Sequence, residues 1–385
     1  MRTIKNYVRA ALPILLGCLL FVACSDDDIA EKGVKEGLPA SLTFKMVVPD
    51  LNDAVVTRAG VEQETALNQL MFLFYKKSDT SKPAFAKVID QLGSWRIGSD
   101  GNDNSNRLYT VTISPGETDL NDNELMSGEY YLYALANWGN GFCSYDAEGY
   151  ASKSLDELKS AILARESSAN VLDIINNTPM TGIYGRDDGS IEIYEGENSF
   201  GNTDETRVHL RRAVAKVIFN ISTVDGITFT PERYSIYHYS QSSTLMERSG
   251  WGGDQGTKPG NLSYEGNNSF SDFEDLAFSD GTPNSFEFYM PENVQRAKDS
   301  NFTDVKMREK RESETNEKFK YAPEKSTYIV IEGHYNGPRN ASSDETAIYD
   351  GDVKYTIQLG DFDATRGGID NFTIRRNVKY TYNVK

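Results

Sequence analysis

The chain has 385 residues, a formal net charge of −17 and an aromatic content of 11%. Its acidic balance argues against nucleic-acid binding, which depends on lysine and arginine neutralising phosphates, and against a polybasic membrane patch. The aromatic content is too high for a disordered chain, and the length predicts two domains or one large one.

Residues 1–23 have the pattern of a secretory signal peptide. Three basic residues among the first nine precede an uncharged apolar run over residues 10–23. This run is shorter than the about 20 apolar residues that a membrane-spanning helix needs, and its basic flank is typical of signal peptides. The run ends in the sequence LFVAC, which resembles the lipobox of bacterial lipoproteins. In that class the cysteine, here Cys24, becomes the mature N-terminus and carries the lipid.

An acidic cluster follows the cysteine directly: Ser25, Asp26, Asp27 and Asp28. It resembles the export tag of surface lipoproteins in Bacteroidales-type bacteria, although a solvated charge run has the same composition. Together with Cys24 it predicts a protein that faces outward from the cell outer membrane. Acyl chains contribute about 0.8 kcal/mol per buried methylene, so a multiply acylated cysteine anchors a protein without a spanning helix.

Residues 24–58 form a tether, a first strand and a loop. Residues 25–40 are polar, and the strand over residues 41–48 alternates apolar Leu42, Phe44 and Met46 with polar positions. The loop then reaches VVTRAG, in which a small and a flexible residue follow an arginine. Of the three cysteines, Cys18 lies in the predicted signal peptide and Cys24 is the predicted lipid site, so only Cys143 is left. The mature chain therefore cannot form an internal disulfide, and its fold rests on burial and hydrogen bonding.

Residues 59–205 are predicted to form an N-terminal β-sandwich domain. The segment 67–77 is apolar on both faces, as expected of a strand covered on both sides. One helix is predicted over residues 154–165, where Ser154 and Glu157 match a capping box. Further strands are predicted over residues 107–115, 128–139 and 189–197.

Residues 206–385 are predicted to form a C-terminal β-sandwich domain. It begins with one long strand over residues 206–223, continues through a long Gly-, Ser- and Asn-rich loop at residues 240–285, and carries a charged, exposed insertion at residues 297–320. Strands return over residues 326–336, 352–360 and 372–385. Many short strands with intervening turn residues and one short helix predict a mainly β protein of two tandem antiparallel sandwiches.

The sequence contains little that indicates catalysis. Its three histidines, His209, His238 and His334, are far apart and lack zinc-site spacing. His209 lies in a strand pattern, where a hydrogen-bonded histidine is expected. No nucleophile elbow or phosphate-binding loop occurs. We therefore predict a protein that is not an enzyme and that has no cofactor.

The best cation candidate is an oxygen-rich stretch of Asp100, Asn102, Asp103 and Asn104. Calcium prefers such ligands, but the EF-hand pattern is not met and an ordinary loop has the same composition. Paired carboxylates are frequent in this acidic chain, and sequence alone does not place two of them across a cleft, as glycoside hydrolysis requires.

The order of several segments resembles the fimbrillin superfamily, the pilin-like subunits of type V pili in Bacteroidales-type bacteria. The resemblance rests on the lipobox with its acidic tag and on the segments LNQLMFLFY, EYYLYALAN, PMTGIYG, LRRAVAKVIFNI and DVKYTIQLGDF…NFTIRRNVKYTYNVK. It covers nearly the whole chain, although no single segment is diagnostic. It implies two tandem β-sandwich domains of transthyretin-like, Greek-key type.

The resemblance also implies an assembly mechanism. Family precursors reach the surface as lipoproteins, and an arginine-specific protease cuts the loop after the first strand. In this sequence that cut falls between Arg58 and Ala59. A neighbouring fimbrial subunit then donates a replacement strand, and the fimbria supports adhesion to host or bacterial surfaces. The alternative is an outer-membrane lipoprotein that binds glycans or host proteins without polymerising, with Arg58 an ordinary loop arginine.

The last strand pattern stops at Lys385, whereas stalk subunits of this family continue into a donor segment. Two interpretations stay open from the sequence. Either the sequence is shortened, or the subunit accepts a strand without donating one, as a tip subunit would.

Overall fold

The computed structural model describes residues 33–48, 52–53, 67–89, 98–103, 106–138, 146–164, 178–185, 188–240, 242–247, 273–278, 284–295, 304–313, 318–339, 347–360 and 368–385.

The first half of the chain contributes eleven strands and two short helices within these residues. They are β1 (Ala40–Val48), β2 (Asn52–Asp53), β3 (Leu70–Lys76), β4 (Phe85–Ile89), β5 (Gly98–Asp103), β6 (Asn106–Ile113), β7 (Gly128–Ala136), α1 (Ala147–Ala151), α2 (Leu155–Ser160), β8 (Ile162–Ala164), β9 (Met180–Tyr184), β10 (Ser190–Ile193) and β11 (Gly196–Ser199).

The second half contributes nine strands within the described residues. They are β12 (Val208–Arg212), β13 (Val214–Ile221), β14 (Thr228–Ser240), β15 (Ser242–Thr244), β16 (Phe273–Phe278), β17 (Ser285–Pro291), β18 (Tyr328–Pro338), β19 (Ile348–Gln358) and β20 (Val378–Val384).

These strands form three main sheets. The first has ten strands in the order β4-β3-β7-β9-β12-β1-β6-β5, with β10 beside β7 and β11 beside β1. The second has the order β17-β13-β20-β2 and the third β16-β14-β18-β19, while β15 pairs with β8. The second and third sheets share one hydrophobic core, as two packed sheets of a sandwich do. The mainly β fold predicted from the sequence is confirmed.

The predicted double coverage of β3 is confirmed. Its alternate residues Leu70, Phe72 and Phe74 enter one hydrophobic core. The residues between them, Met71 and Leu73 with Tyr75, enter another. Because successive side chains of a strand point to opposite faces, an uninterrupted apolar run is what a strand between two cores requires.

The predicted capping box is present at the start of α2. The Glu157 amide donates to the Ser154 hydroxyl at 3.2 Å, and the Ser154 amide donates to the Glu157 carboxylate at 2.8 Å. The helix ends at Ser160 rather than at residue 165, because Ile162 begins β8 and pairs with β15. The structure adds a second short helix, α1, whose N-cap Asp146 accepts from the Gly149 amide.

The prediction of one long strand over residues 206–223 is wrong. The segment divides at Ala213: β12 pairs with β9 and β1 in the first sheet, whereas β13 pairs with β17 and β20 in the second. β12 therefore follows the predicted domain boundary at residue 206 but pairs within the first sheet. The boundary itself stays a prediction.

The insertion at residues 297–320, which was expected to be exposed, contains a buried arginine. Arg308 is fully buried, and its guanidinium donates to the carbonyl oxygens of Leu359 at 2.8 Å and Asn371 at 3.0 Å. It also lies 4.0 Å from the ring centre of Phe372. The expectation of an exposed insertion is therefore wrong at this residue, since the charge is satisfied by carbonyls rather than by water. The predicted loop at residues 240–285 likewise contains β16, which pairs with β14.

Candidate functional site

β1 lies inside the ten-stranded sheet rather than at its edge. On one side it pairs antiparallel with β6 over residues 42–48. On the other side two short strands lie beside it, one after the other: β11 runs parallel to residues 40–43 and β12 runs parallel to residues 46–47. Among the strands that the structure describes, β1 alone connects β12 with β6 and β5. Removing it would therefore open a groove through the middle of the sheet.

The core face of β1 carries the residues that the sequence singled out. Leu42, Phe44 and Met46 are 1%, 0% and 0% exposed, and all three enter the core that also contains Phe72. The rings of Phe44 and Phe72 meet edge to face with centres 5.0 Å apart. Burying side chains of this size contributes about 1.5–3 kcal/mol each, so β1 stabilises the uncut fold strongly. The prediction that these residues face the core is confirmed.

The opposite face of β1 is held by polar contacts. The Asn198 side-chain amide donates to the carbonyl of Ser41 at 3.1 Å, and the hydroxyls of Thr43 and Thr112 lie 3.3 Å apart. Gly201 passes so close that a Cβ atom on it would lie 2.5 Å from Cβ of Lys45. This face therefore fits small or extended side chains, whereas the core face fits bulky apolar ones.

The segment after β1 joins the second sheet. β2 pairs in parallel with β20, with Asn52 opposite Val378 and Asp53 opposite Lys379. It occupies the edge of that sheet beside β20. The N-terminal segment thus contributes a strand to each of two sheets, and the pairing in the second sheet was not predicted.

A buried polar cluster lies where the first and second sheets meet. The Arg376 guanidinium donates to the carbonyls of Leu245 and Thr244 and to the carboxylate of Glu292. The side chains of Arg376 and Glu292 are each 2% exposed. Burial raises the pKa of the neighbouring Glu247 carboxyl, against the opposing effect of the nearby guanidinium groups.

Arg376→Met is expected to destabilise the protein by about 3–5 kcal/mol, because it leaves the carboxylate of Glu292 buried without its counter-ion. Urea unfolding measures the loss. The matched control is Lys76→Met, which removes an ion pair with Glu36 whose side chains are 33% and 53% exposed. The control should cost no more than about 1 kcal/mol. Equal losses in the two variants would contradict the structural role of the buried pair.

Most of the other residues singled out in the sequence lie outside the described residues. These are Cys24, the acidic cluster, and Arg58 with Ala59. Their roles stay predictions.

The cation candidate and the histidines are described in part. Residues 98–103 form the backbone of β5, which pairs with β6, while Asn104 lies outside the described part. The strand histidine His209 has Nε2 2.7 Å from the carbonyl oxygen of Asp204, as expected of a hydrogen-bonded side chain. His334 lies between the carboxylates of Asp350 and Asp352 on an exposed face, and hydrogen bonds to them raise its pKa.

Among the residues that the structure describes, no group of three or more His, Cys, Asp or Glu side chains is placed to hold a metal ion. The described helices are all too short or too polar to cross a membrane.

The family described as "Domain of unknown function (DUF4906)" matches residues 288–384, about a quarter of the chain. No curated protein matches the chain.

Solved structures show a distant likeness over most of the chain. One is the tip fimbrial protein Mfa3 from Porphyromonas gingivalis, with 14% identity, a TM-score of 0.46 and coverage of 90% of this chain and 94% of that one. Another is a fimbrial assembly protein from Parabacteroides distasonis, with 11% identity, a TM-score of 0.42 and coverage of 91% and 93%. These likenesses are too distant to assign an activity.

Proposed function

We propose that this chain is a structural subunit of a cell-surface fimbria, in which β1 is an exchangeable strand. The precursor is exported as a lipoprotein, a protease cuts after Arg58, and a strand from a neighbouring subunit replaces β1. The observation that carries the proposal is the position of β1. It lies in the middle of the first sheet, and its only covalent connection to β3 and the strands after it passes through Arg58.

Removing β1 creates a site for another chain. The backbone groups of β6 on one side and of β11 and β12 on the other would lose their partners, and the core around Phe72 would be exposed. Unpaired strand edges recruit extended chains. In strand addition the main-chain hydrogen bonds supply affinity, and pockets for alternate side chains supply specificity.

The pockets define what the incoming strand must carry. It needs bulky apolar side chains at the places of Leu42, Phe44 and Met46, and small or extended polar ones between them. It must also run antiparallel to β6. These are requirements on a neighbouring subunit rather than on a small ligand.

The groove extends beyond the first sheet. β2 also precedes Arg58, so the same cut would free it and expose the edge of β20. A donor strand of sufficient length would then pair in both sheets. Such a strand would connect the two sheets of the accepting subunit.

The folded precursor protects three of its other arginines from an arginine-specific protease. Arg212, Arg308 and Arg376 are 1%, 0% and 4% exposed and donate hydrogen bonds to buried oxygens. A protease needs an extended, accessible chain, so these three positions are poor substrates while the protein is folded. The fold therefore protects these three positions, whereas Arg233, Arg311 and Arg339 are exposed in the described part.

Lipidation at Cys24 and the acidic cluster behind it place the precursor on the outward face of the outer membrane. Cutting after Arg58 then releases the remainder from its lipid and moves it into the fimbria, where it supports adhesion.

The N-terminus of the native protein tests the proposal. Mass spectrometry should find a lipid-bearing Cys24 in the outer-membrane fraction and an N-terminal Ala59 in isolated fimbriae. Cys24→Ala is the matched control and should incorporate no labelled palmitate. A non-polymerising lipoprotein that binds glycans or host proteins would instead keep Cys24 as its N-terminus in every surface fraction, and fimbriae would not contain the chain.

A further inference from the structure

β19 is a long, regular edge strand. It spans eleven residues and pairs with β18 over its whole length without a register shift. Among the described residues it has no second partner strand. Three of the seven large hydrophobic residues that are markedly exposed in the described part lie on it, namely Ile348, Tyr349 and Tyr355 at 72%, 39% and 42%.

Natural sheets blunt their edges with short strands, bulges or prolines, because an open edge pairs with other chains. β19 has none of these three devices. Its charged residues Asp350, Asp352 and Lys354 are a fourth device, which disfavours partner strands whose charges do not complement them. We propose that β19 pairs antiparallel with β19 of a second copy of this chain, which joins two four-stranded sheets into one of eight strands.

The charges on β19 favour pairing with β19 of a second copy. When two copies overlap fully around a twofold axis, the central residue Val353 faces the partner's Val353. Asp352 then faces the partner's Lys354, and Lys354 faces the partner's Asp352. Opposite charges directly across a strand pair are favourable, and the symmetry produces this pair twice.

The pairs continue a row that already exists within each copy. Lys354 contacts Glu332 on β18 at 2.7 Å, and Asp352 lies 3.1 Å from the ring of His334. Across the joined sheet the row would therefore read Glu332, Lys354, the partner's Asp352 and the partner's His334. In this row the partner's Asp352 lies between a lysine and a histidine, and Glu332 lies beside a lysine.

The other face of the strand is apolar. Gly351 would face the partner's Tyr355, whose ring is exposed in the single copy. Within each copy the Tyr355 ring packs edge to face against Phe229, with centres 5.4 Å apart. A Cβ atom at Gly351 would lie 3.0 Å from the hydroxyl oxygen of Tyr349, so the Tyr349 ring of the same copy already covers this position. The partner's Tyr355 would therefore lie beside Tyr349 on the apolar face.

Shifted registers lose these matches. Moving the twofold axis by one residue places Asp352 against the partner's Asp352 in one direction and Lys354 against the partner's Lys354 in the other. Moving it to Gly351 places Asp350 against the partner's Asp352. Full overlap thus combines the largest number of paired residues with the absence of like-charge pairs. The net charge of −17 on each copy opposes association, but salt screens it within about 8 Å at physiological ionic strength.

Sedimentation of the full chain tests the pairing, with Cys18, Cys24 and Cys143 replaced by serine so that neither lipid nor native thiols cause association. Dimers are expected. Lys354→Glu should raise the dissociation constant of the dimer about tenfold or more, because two attractive pairs become repulsive. The matched control is Lys77→Glu, which alters an exposed pair with Glu129 on another strand. The control should leave dimerisation unchanged.

Disulfide trapping reads the register directly. In the same background, Val353→Cys should give a dimer under mild oxidation because the residue faces itself, whereas Tyr355→Cys should not. Mixing Tyr355→Cys with Gly351→Cys should restore the cross-link. A monomer at all soluble concentrations would overturn the proposal, and so would a dimer that Lys354→Glu leaves intact or that Tyr355→Cys traps as well as Val353→Cys.

Discussion

Phe44→Ala is expected to destabilise the uncut precursor by about 3–5 kcal/mol, which is the range for removing a buried phenylalanine. The side chain is fully buried in β1 and packs edge to face on Phe72. The substitution leaves a cavity in the core where β1 crosses the sheet. Urea unfolding of the precursor measures the loss.

Thr43→Ala is the matched control for this experiment. Thr43 precedes Phe44 on the same strand but lies on the other face, half-buried, with its hydroxyl 3.3 Å from that of Thr112. Its loss should cost about 1 kcal/mol. If the two substitutions destabilise the precursor equally, β1 does not hold the core in the way described here.

The same comparison separates the precursor from the assembled subunit. Once a donor strand has replaced β1, residue 44 is absent from the fimbria, so Phe44→Ala should no longer affect the stability of the incorporated subunit. A destabilised fimbria assembled from Phe44→Ala subunits would show that β1 stays in the product.

Arg58→Ala is expected to abolish both cutting and incorporation into fimbriae while leaving folding and surface export intact. The uncut chain keeps β1 tethered, so an incoming strand competes against an intramolecular one at high effective concentration. Cutting removes this advantage, because the released segment becomes a separate peptide. N-terminal sequencing and gel filtration after arginine-specific proteolysis measure the two effects.

Arg58→Lys provides the control that separates cutting from charge. It keeps the positive charge and nearly the same length of side chain but removes the arginine that the protease recognises. It should therefore fail to assemble with the arginine-specific protease and should regain assembly when a lysine-specific protease cuts at residue 58. Incorporation of uncut Arg58→Ala or Arg58→Lys chains would show that assembly does not require cutting after Arg58.

The sequence predicted those parts of the fold that depend on local pattern. Alternation in residues 41–48 identified β1 and its core face, and the double-sided run of β3 indicated coverage on both sides. Ser154 and Glu157 identified the start of α2 through two local hydrogen bonds. In each case the physical cause lies within a few residues, so one sequence suffices to show it.

Long-range pairing could not be predicted in this way. β1 meets β11 and β12 in parallel, more than 150 positions along the chain, and β2 meets β20 from the opposite end. Nothing in the two residues of β2 distinguishes them from a loop. Arg308 was missed for a different reason: its charged neighbours indicate an exposed segment, while its own burial depends on carbonyls that only the folded chain brings together.

Strand replacement in the cut protein tests the central claim most directly. After arginine-specific proteolysis, the protein is incubated with a labelled peptide of residues 40–53 or with the same peptide carrying Phe44→Asp, and the bound label is measured after gel filtration. The account predicts that the cut protein takes up the first peptide and releases its own β1 segment, while it rejects the second peptide and the uncut Arg58→Ala chain rejects both. Equal uptake of the two peptides, or a cut protein that never exchanges its own segment, would contradict the account.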